Sequence, residues 1–441
     1  MNSANPCIEL KKLVAELPSL PSAWEELVSK GINSHYRQKF IGVVRQREAF
    51  LKDYQAQVEK LLMDCFKGVD VSGKVEIASD GRVVVNGGLK LEGRDIDYFP
   101  SIIKRVSGEL NIQRTKLQNL DHLEEAGTIK AAGLETLQSM NSLTSVEEHL
   151  FIAETNIRSL PSLQMVGGLS ASEAENLESL PRLRIVKNSL SIWGTKIKTL
   201  PELTMVGSRL SAKGLVTLTS LPKLQKVGNL QIKGTNIRQL PELRIAETLY
   251  ASHVVSLSAI PRLQKAGSLN IEGTSVRELP SLVEVDDLFA EGLITLQKLP
   301  KLQNVFGVCL LSETSIKSLP SLKFVKFDLD VHNAELLTSI PCLENVKSQL
   351  NIGGTALKSL SSLQTVGGAI ILSAENSNIL NKLKIDDINR LFPVLEEIGK
   401  DFHGVSVYTD EERIRNQFIK AKGIGKLSYP GTIEVGKIWT D

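Results

Sequence analysis

Six histidines could serve as bases or metal ligands: His35, His122, His149, His253, His332 and His403. No two of them stand in an H-E-x-x-H motif, and no cysteine lies at ligand spacing from any of them. Cys7, Cys65, Cys309 and Cys342 are scattered without a C-x-x-C pair, so neither a disulfide framework nor a zinc site is expected. A G-x-S-x-G elbow, a Walker loop and a G-x-G-x-x-G after a strand are all absent. The stretch GIGKL (423–427) holds Gly-x-Gly-Lys, but it lacks the Walker spacing and the hydroxyl residue that would follow the lysine. The expectation is a non-enzymatic chain with no catalytic residue, no metal site and no cofactor.

Composition narrows the partners. Charged residues make up 23% of the chain and the formal charge is +2, so no strong field points to nucleic acid or to an anionic membrane. Aromatic residues are only 5%, which leaves Leu, Ile, Val and Ala to fill the interior. The start MNSANPCIELKKLVAEL lacks a basic stretch followed by an apolar run, and no run of about 18 apolar residues occurs. A cytoplasmic location is the expectation, with export by a route that reads no cleavable signal left open.

What positions any functional residue is a repeat. The prolines of Leu-Pro or Ile-Pro steps fall at Pro161, Pro181, Pro201, Pro222, Pro241, Pro261, Pro280, Pro300, Pro320 and Pro341, at intervals of 19 to 21 residues. Pro100, Asp121 and Asn141 extend the frame backward and Ser361 and Asn381 forward, giving fifteen coils of about twenty residues. In GNLQIKGTNIRQLPEL (228–243) the L-x-I element has the period of two that sends both side chains to one face of a strand. A strand recurring every twenty residues must stack on its neighbours as a parallel sheet. The proline in each coil argues against a long helix on the return path, which is expected to be extended or loosely turned.

These residues resemble the leucine-rich repeat, L-x-x-L-x-L-x-x-N-x-L-x-x-L-P-x-L, in its short bacterial LPX-like form, over roughly residues 87 to 385. The resemblance implies a mainly β solenoid and a recognition function. Where that family usually has Asn, this chain has Thr115, Thr155, Thr195, Thr235, Thr274, Thr314 and Thr355, only in alternate coils. The intervening coils carry Leu134, Ala174, Leu215, Val254, Leu293 and Ala334, and one residue more in the turn. The unit is therefore a pair of coils of about forty residues, and the family's asparagine ladder reduces to at best a half-ladder of threonines. Some proteins of this class carry a ubiquitin ligase with a Cys-x-Asp, but no cysteine here has Asp two positions on.

In such an array the exposed face of the stacked strands carries recognition. By the period of two its residues are Asn111, Phe151, Ser191, Gln231, Tyr250, Asn270, Phe289, Asp330 and Asn351. One step further lie Gln113, Trp193, Lys213, Lys233, Ser252, Glu272, Glu291 and His332. From these rows Phe151, Trp193, Gln231, Lys233, Tyr250, Glu272, Phe289, Glu291 and His332 are the candidate partner-binding residues, with a protein as the expected partner and a monomer as the expected state. Phe151, Trp193, Tyr250 and Phe289 stand out because large aromatics anchor interfaces. Two other readings stay open: a self-associating structural or adhesive scaffold, and an exported bacterial effector that binds host proteins.

The flanks differ in kind. Residues 1–70 are expected to form a helical cap, because Phe40, Val43, Val44, Phe50, Leu51, Tyr54, Val58, Leu61, Leu62, Cys65 and Phe66 trace one apolar stripe. Within the solenoid region, 71–386, the stretch 74–88 reads as a hairpin around Asp80-Gly81 that opens the sheet. Residues 387–441 are expected to be a small α/β cap and tail. Helices are expected over 385–402, interrupted at Pro393, and over 410–422; SYPGTIEVGKIWTD either folds back or forms a tail.

Overall fold

The computed structural model describes residues 52–371, apart from 67, 72, 79, 358, 359, 361, 368 and 369, together with three short strands at 405–408, 427–428 and 432–435. The chain forms two compact units, Met1–Ile197 and Lys198–Asp441. Both are β-solenoids of parallel strands, as the repeat predicts.

Most of the helical cap expected over 1–70 lies outside the described residues; within them the first unit shows a helix over 52–65, which buries Val58, Leu62 and the following Phe66 completely. These residues are four apart and so lie on one face. The Phe66 ring stands 5.8 Å from that of Phe99, and Gln55 Nε2 donates to the Val75 carbonyl at 2.6 Å, so the helix covers the start of the sheet. The expected hairpin follows: Val75–Ile77 pairs antiparallel with Val83–Val85, and the latter pairs parallel with Ile103–Asn111. Asp80 at the hairpin tip bonds Arg82 Nε at 3.2 Å and Lys104 Nζ at 3.0 Å, and Arg82 reaches Glu124 at 2.5 Å. Burial works against the Asp80 charge, but the contacts to Lys104 and Arg82 outweigh it and hold the carboxyl below its ordinary value. Five coils then stack, with Val106, Ala126, Val146, Val166 and Val186 pointing inward.

In the second unit Val206, Val227, Ala246, Ala266, Val285, Val305, Val325, Val346 and Val366 mark nine coils. The fifteenth expected coil, framed by Asn381, lies outside the described residues, as do the helices expected over 385–402 and 410–422. Each strand starts earlier than the L-x-I element suggests. Lys226–Gln231 ends before Ile232, because Val227 and Leu230 are both buried and the two residues between them arch away from a flat strand. In the last four coils the arch contains one more residue and splits the strand, as in Asn304–Val305 and Cys309–Leu310. There side chains take up the freed amides: Val308 N donates to Asp287 Oδ1 at 3.0 Å, and Gln349 N to Asp328 Oδ1 at 2.9 Å. Close stacking also dictates glycine, since a Cβ on Gly228 would lie 2.2 Å from the Ser208 carbonyl oxygen. Cys309 occupies an inward leucine position, and burial, with the nearby Asp330 charge, pushes its thiol up to about 12.

The far end of this sheet turns antiparallel. Val405–Tyr408 pairs parallel with Ile370–Ile371 and antiparallel with Thr432–Val435, which also pairs with Leu427–Ser428. The segment containing TIEV thus folds back onto the sheet.

The return wall shows the two-coil unit in its hydrogen bonds. Isolated parallel bridges join Asn119 to Ser139 and Ser159 to Ser179 in the first unit, and Thr199 to Ser220, Gln239 to Ala259, Glu278 to Lys298 and Ser318 to Ser339 in the second. Each joins a threonine coil to the wider coil after it; among the described residues none joins a wider coil to the threonine coil that follows.

Candidate functional site

The turn that leaves the strand decides what each coil presents. Four residues after every strand leucine the backbone is left-handed, as at Gly214 (φ 74°), Gly234 (φ 78°) and, at the cost of a side chain there, His253 (φ 60°). In the next slot all seven threonines are buried, and each hydroxyl donates to the carbonyl three residues back in its own turn, at 2.7 to 2.8 Å. The threonines thus tie single tight turns and form no rungs between coils, because their acceptors lie within the same coil. In the alternate coils Leu134, Ala174, Leu215, Val254, Leu293 and Ala334 fill the slot with aliphatic atoms, 0 to 3% exposed.

Inward rows of leucine, a left-handed turn and a twenty-residue pitch define the architecture. The fold is a leucine-rich-repeat solenoid. No protein-family model matches the chain, and none of the curated proteins does. Two solved structures are similar in arrangement. One is a leucine-rich repeat protein from Bacteroides ovatus ATCC 8483, 12% identical, covering 68% of this chain and 85% of that one with a TM-score of 0.29. The other is a functional domain of InlJ from Listeria monocytogenes that includes a cysteine ladder, 14% identical, covering 65% and 74% with the same TM-score.

The solenoid places the candidate residues in rows. Phe151, Gln231, Tyr250 and Phe289 each end a strand and point outward. In the second unit the register runs Gln231, Tyr250, Asn270, Phe289, Leu310, Asp330, Asn351 across successive strands. In the first, Phe151 neighbours Ser170, which neighbours Ser191. Trp193, Lys233, Glu272, Glu291 and His332 lie beyond the strand ends, in the turn. Trp193 and Tyr250 are 39% and 43% exposed, whereas Phe151 and Phe289 are half-buried against the sheet. His332 Nδ1 bonds Asp330 Oδ1 at 2.7 Å, so these two form a local pair.

A third outward row stands one residue before each strand leucine, a position that the period of two also turns outward but that the two named rows leave out. It holds Glu109, Thr128 and His149 in the first unit and Arg209, Asn229, Thr248, Ser268 and Asp287 in the second. His149 stacks on Phe151 with centroids 5.5 Å apart and its ring lies over Gly168. The signal for this row was the alternation itself, taken one step before the strand leucine. A separate turn edge of the second unit exposes Val216, Val255 and Ile294. Among the described residues no group of three His, Cys, Asp or Glu converges as a metal site, and no helix is long and apolar enough to cross a membrane.

Proposed function

We propose that this chain is a non-enzymatic recognition protein of the short Leu-Pro repeat class, which holds a protein partner on its outward strand rows. The observation that carries the reading is the contrast between rows. Inward strand positions are buried and, apart from Cys309, aliphatic, while outward positions differ from coil to coil and include the exposed rings of Trp193 and Tyr250. A scaffold that repeats its core and varies its surface separates stability from specificity. Large aromatics on such a surface are suited to be anchors.

Capture from a lysate of the source cell, followed by mass spectrometry, tests this. Trp193→Ala with Tyr250→Ala is expected to lose the captured partner, whereas Ile294→Ser on the turn edge keeps it. Retention of every partner by the double variant rejects the strand rows as the recognition surface.

A further inference from the structure

The outward face of the second unit is charged in an ordered way. Arg209 and Lys213 belong to the coil of Leu210, and Lys233 to that of Leu230; all three are exposed. After the coil of Leu249 the sign reverses, with Glu272 in the coil of Leu269 and Asp287 and Glu291 in that of Leu288. None of these six groups takes part in an ion pair among the described residues. The carboxylates make only uncharged contacts: Glu291 accepts from Ser312 Oγ at 3.2 Å, and Asp287 from the Val308 amide. Some charges elsewhere in the unit pair along the stack, as Lys223 does with Glu202, while Lys226, Arg244, Glu247, Asp286 and Lys301 carry no ion pair among the described residues either. What sets the six apart is their separation by sign along one face, cations before the coil of Leu249 and carboxylates after it.

The positions are symmetric about the coil of Leu249. Arg209, two coils before it, and Asp287, two coils after it, occupy the same row, one residue before the strand leucine. Lys213 and Glu291, at the same two distances, share the row three residues beyond the leucine, and so do Lys233 and Glu272, one coil to either side. A two-fold axis parallel to the strands keeps each row and reverses the order of coils. It brings every one of these cations onto its anion in a second molecule. At the axis stand Tyr250 and Ile245, 43% and 41% exposed.

We infer that the outward face of the second unit binds a second copy of this chain, head to tail along the stack, with Tyr250 at the centre. Three kinds of ion pair form, each twice, as an isologous contact requires: Arg209 with Asp287, Lys213 with Glu291, and Lys233 with Glu272. Gln231 meets Asn270 in the row between. Two like-charge contacts oppose the arrangement. Glu247 meets its own copy beside the axis, and Lys226 meets Lys265, whose charge Glu284 already takes up at 3.1 Å. Five strands at about 4.8 Å spacing give a patch of roughly 500 Å² per copy, at the low end for specific association. The dimer is thus weak and, being held by exposed charges, sensitive to salt.

This inference rests on the reading that the outward rows recognise protein, and it names the partner of one unit. Sedimentation equilibrium and light scattering on the purified full chain test it without any other protein. Dimer mass is expected at about 50 mM salt and high protein concentration, with the dissociation constant weakened about tenfold or more at 0.5 M. Lys213→Glu with Lys233→Glu is expected to be monomeric alone, and so is Glu272→Lys with Glu291→Lys. An equimolar mixture of the two variants recovers dimer mass. A wild-type chain that stays monomeric at low salt overturns the inference, as does a dimer indifferent to both salt and charge reversal. Neither result touches the capture experiment above, and retention of every captured partner by the Trp193→Ala, Tyr250→Ala variant overturns the heterologous partner without bearing on the dimer of the unsubstituted chain.

Discussion

The coils of Leu210 and Leu230 lie side by side in the second unit and solve the same turn differently. Both turn through a left-handed glycine, Gly214 or Gly234. In the wider coil Leu215 fills the slot, and two amide bonds of 3.0 Å follow, Leu215 to Ala212 and Leu218 to Leu215. In the tighter coil Thr235 fills the slot, and its amide and hydroxyl both reach Ile232, at 3.1 and 2.8 Å. The extra residue leaves the Val216 carbonyl at the turn edge, and Asn236 of the tighter coil donates its side-chain amide to it at 2.7 Å. Ser275 does the same for Val255 at 2.7 Å. The two turn types are complementary, since one leaves an acceptor that the other supplies with a donor.

Substitutions can break that comparison in order of effect. Leu215→Ala removes buried methyls from the wider slot and is expected to cost about 2–5 kcal/mol, read as a lowered urea midpoint by circular dichroism. Thr235→Val keeps the shape of the tighter slot but deletes its hydroxyl, with an expected loss of about 1–2 kcal/mol in the same melt; Thr235→Ser should lose less. A loss for Thr235→Val as large as that for Leu215→Ala would mean that the two slots are not held by different forces. His253→Gly relieves a left-handed side chain common to both turn types and should gain about 0.5 kcal/mol, after the entropy that glycine adds to the unfolded chain. A measured loss at that position would show that the His253 ring contributes contacts outweighing its backbone strain.

Much of this was legible in the amino-acid order. The Leu-Pro and Ile-Pro steps marked ten coils and set the frame for the rest, and the alternation of Thr235 with Leu215 announced two turn types. The hairpin around Asp80-Gly81 was equally plain, because Gly81 sits between two β-branched runs. The row of Arg209 and Asp287 follows from the period of two taken one step before the leucine, but the arch between valine and leucine was not legible, since that period describes a flat strand. The left-handed position was obscured for a related reason. Gly214 and Gly234 announce it, but His253, Glu154 and Asn333 adopt the same backbone without the residue type that would reveal it. Pairing of charges across a face depends on which coils count as equidistant, and that became visible only with the register.

The bridges of the return wall carry a consequence for how such a chain can change in length. Ser159 with Ser179 and Gln239 with Ala259 close a wall only between the first and second members of a pair. Removing forty residues between equivalent points leaves every surviving bridge with its mate and every turn-edge carbonyl with its donor. Removing twenty sets two turns of one type against each other and leaves those bonds without partners. Duplication and loss in this array are therefore counted in pairs, and a designed shortening that respects this should fold where an odd-numbered one does not.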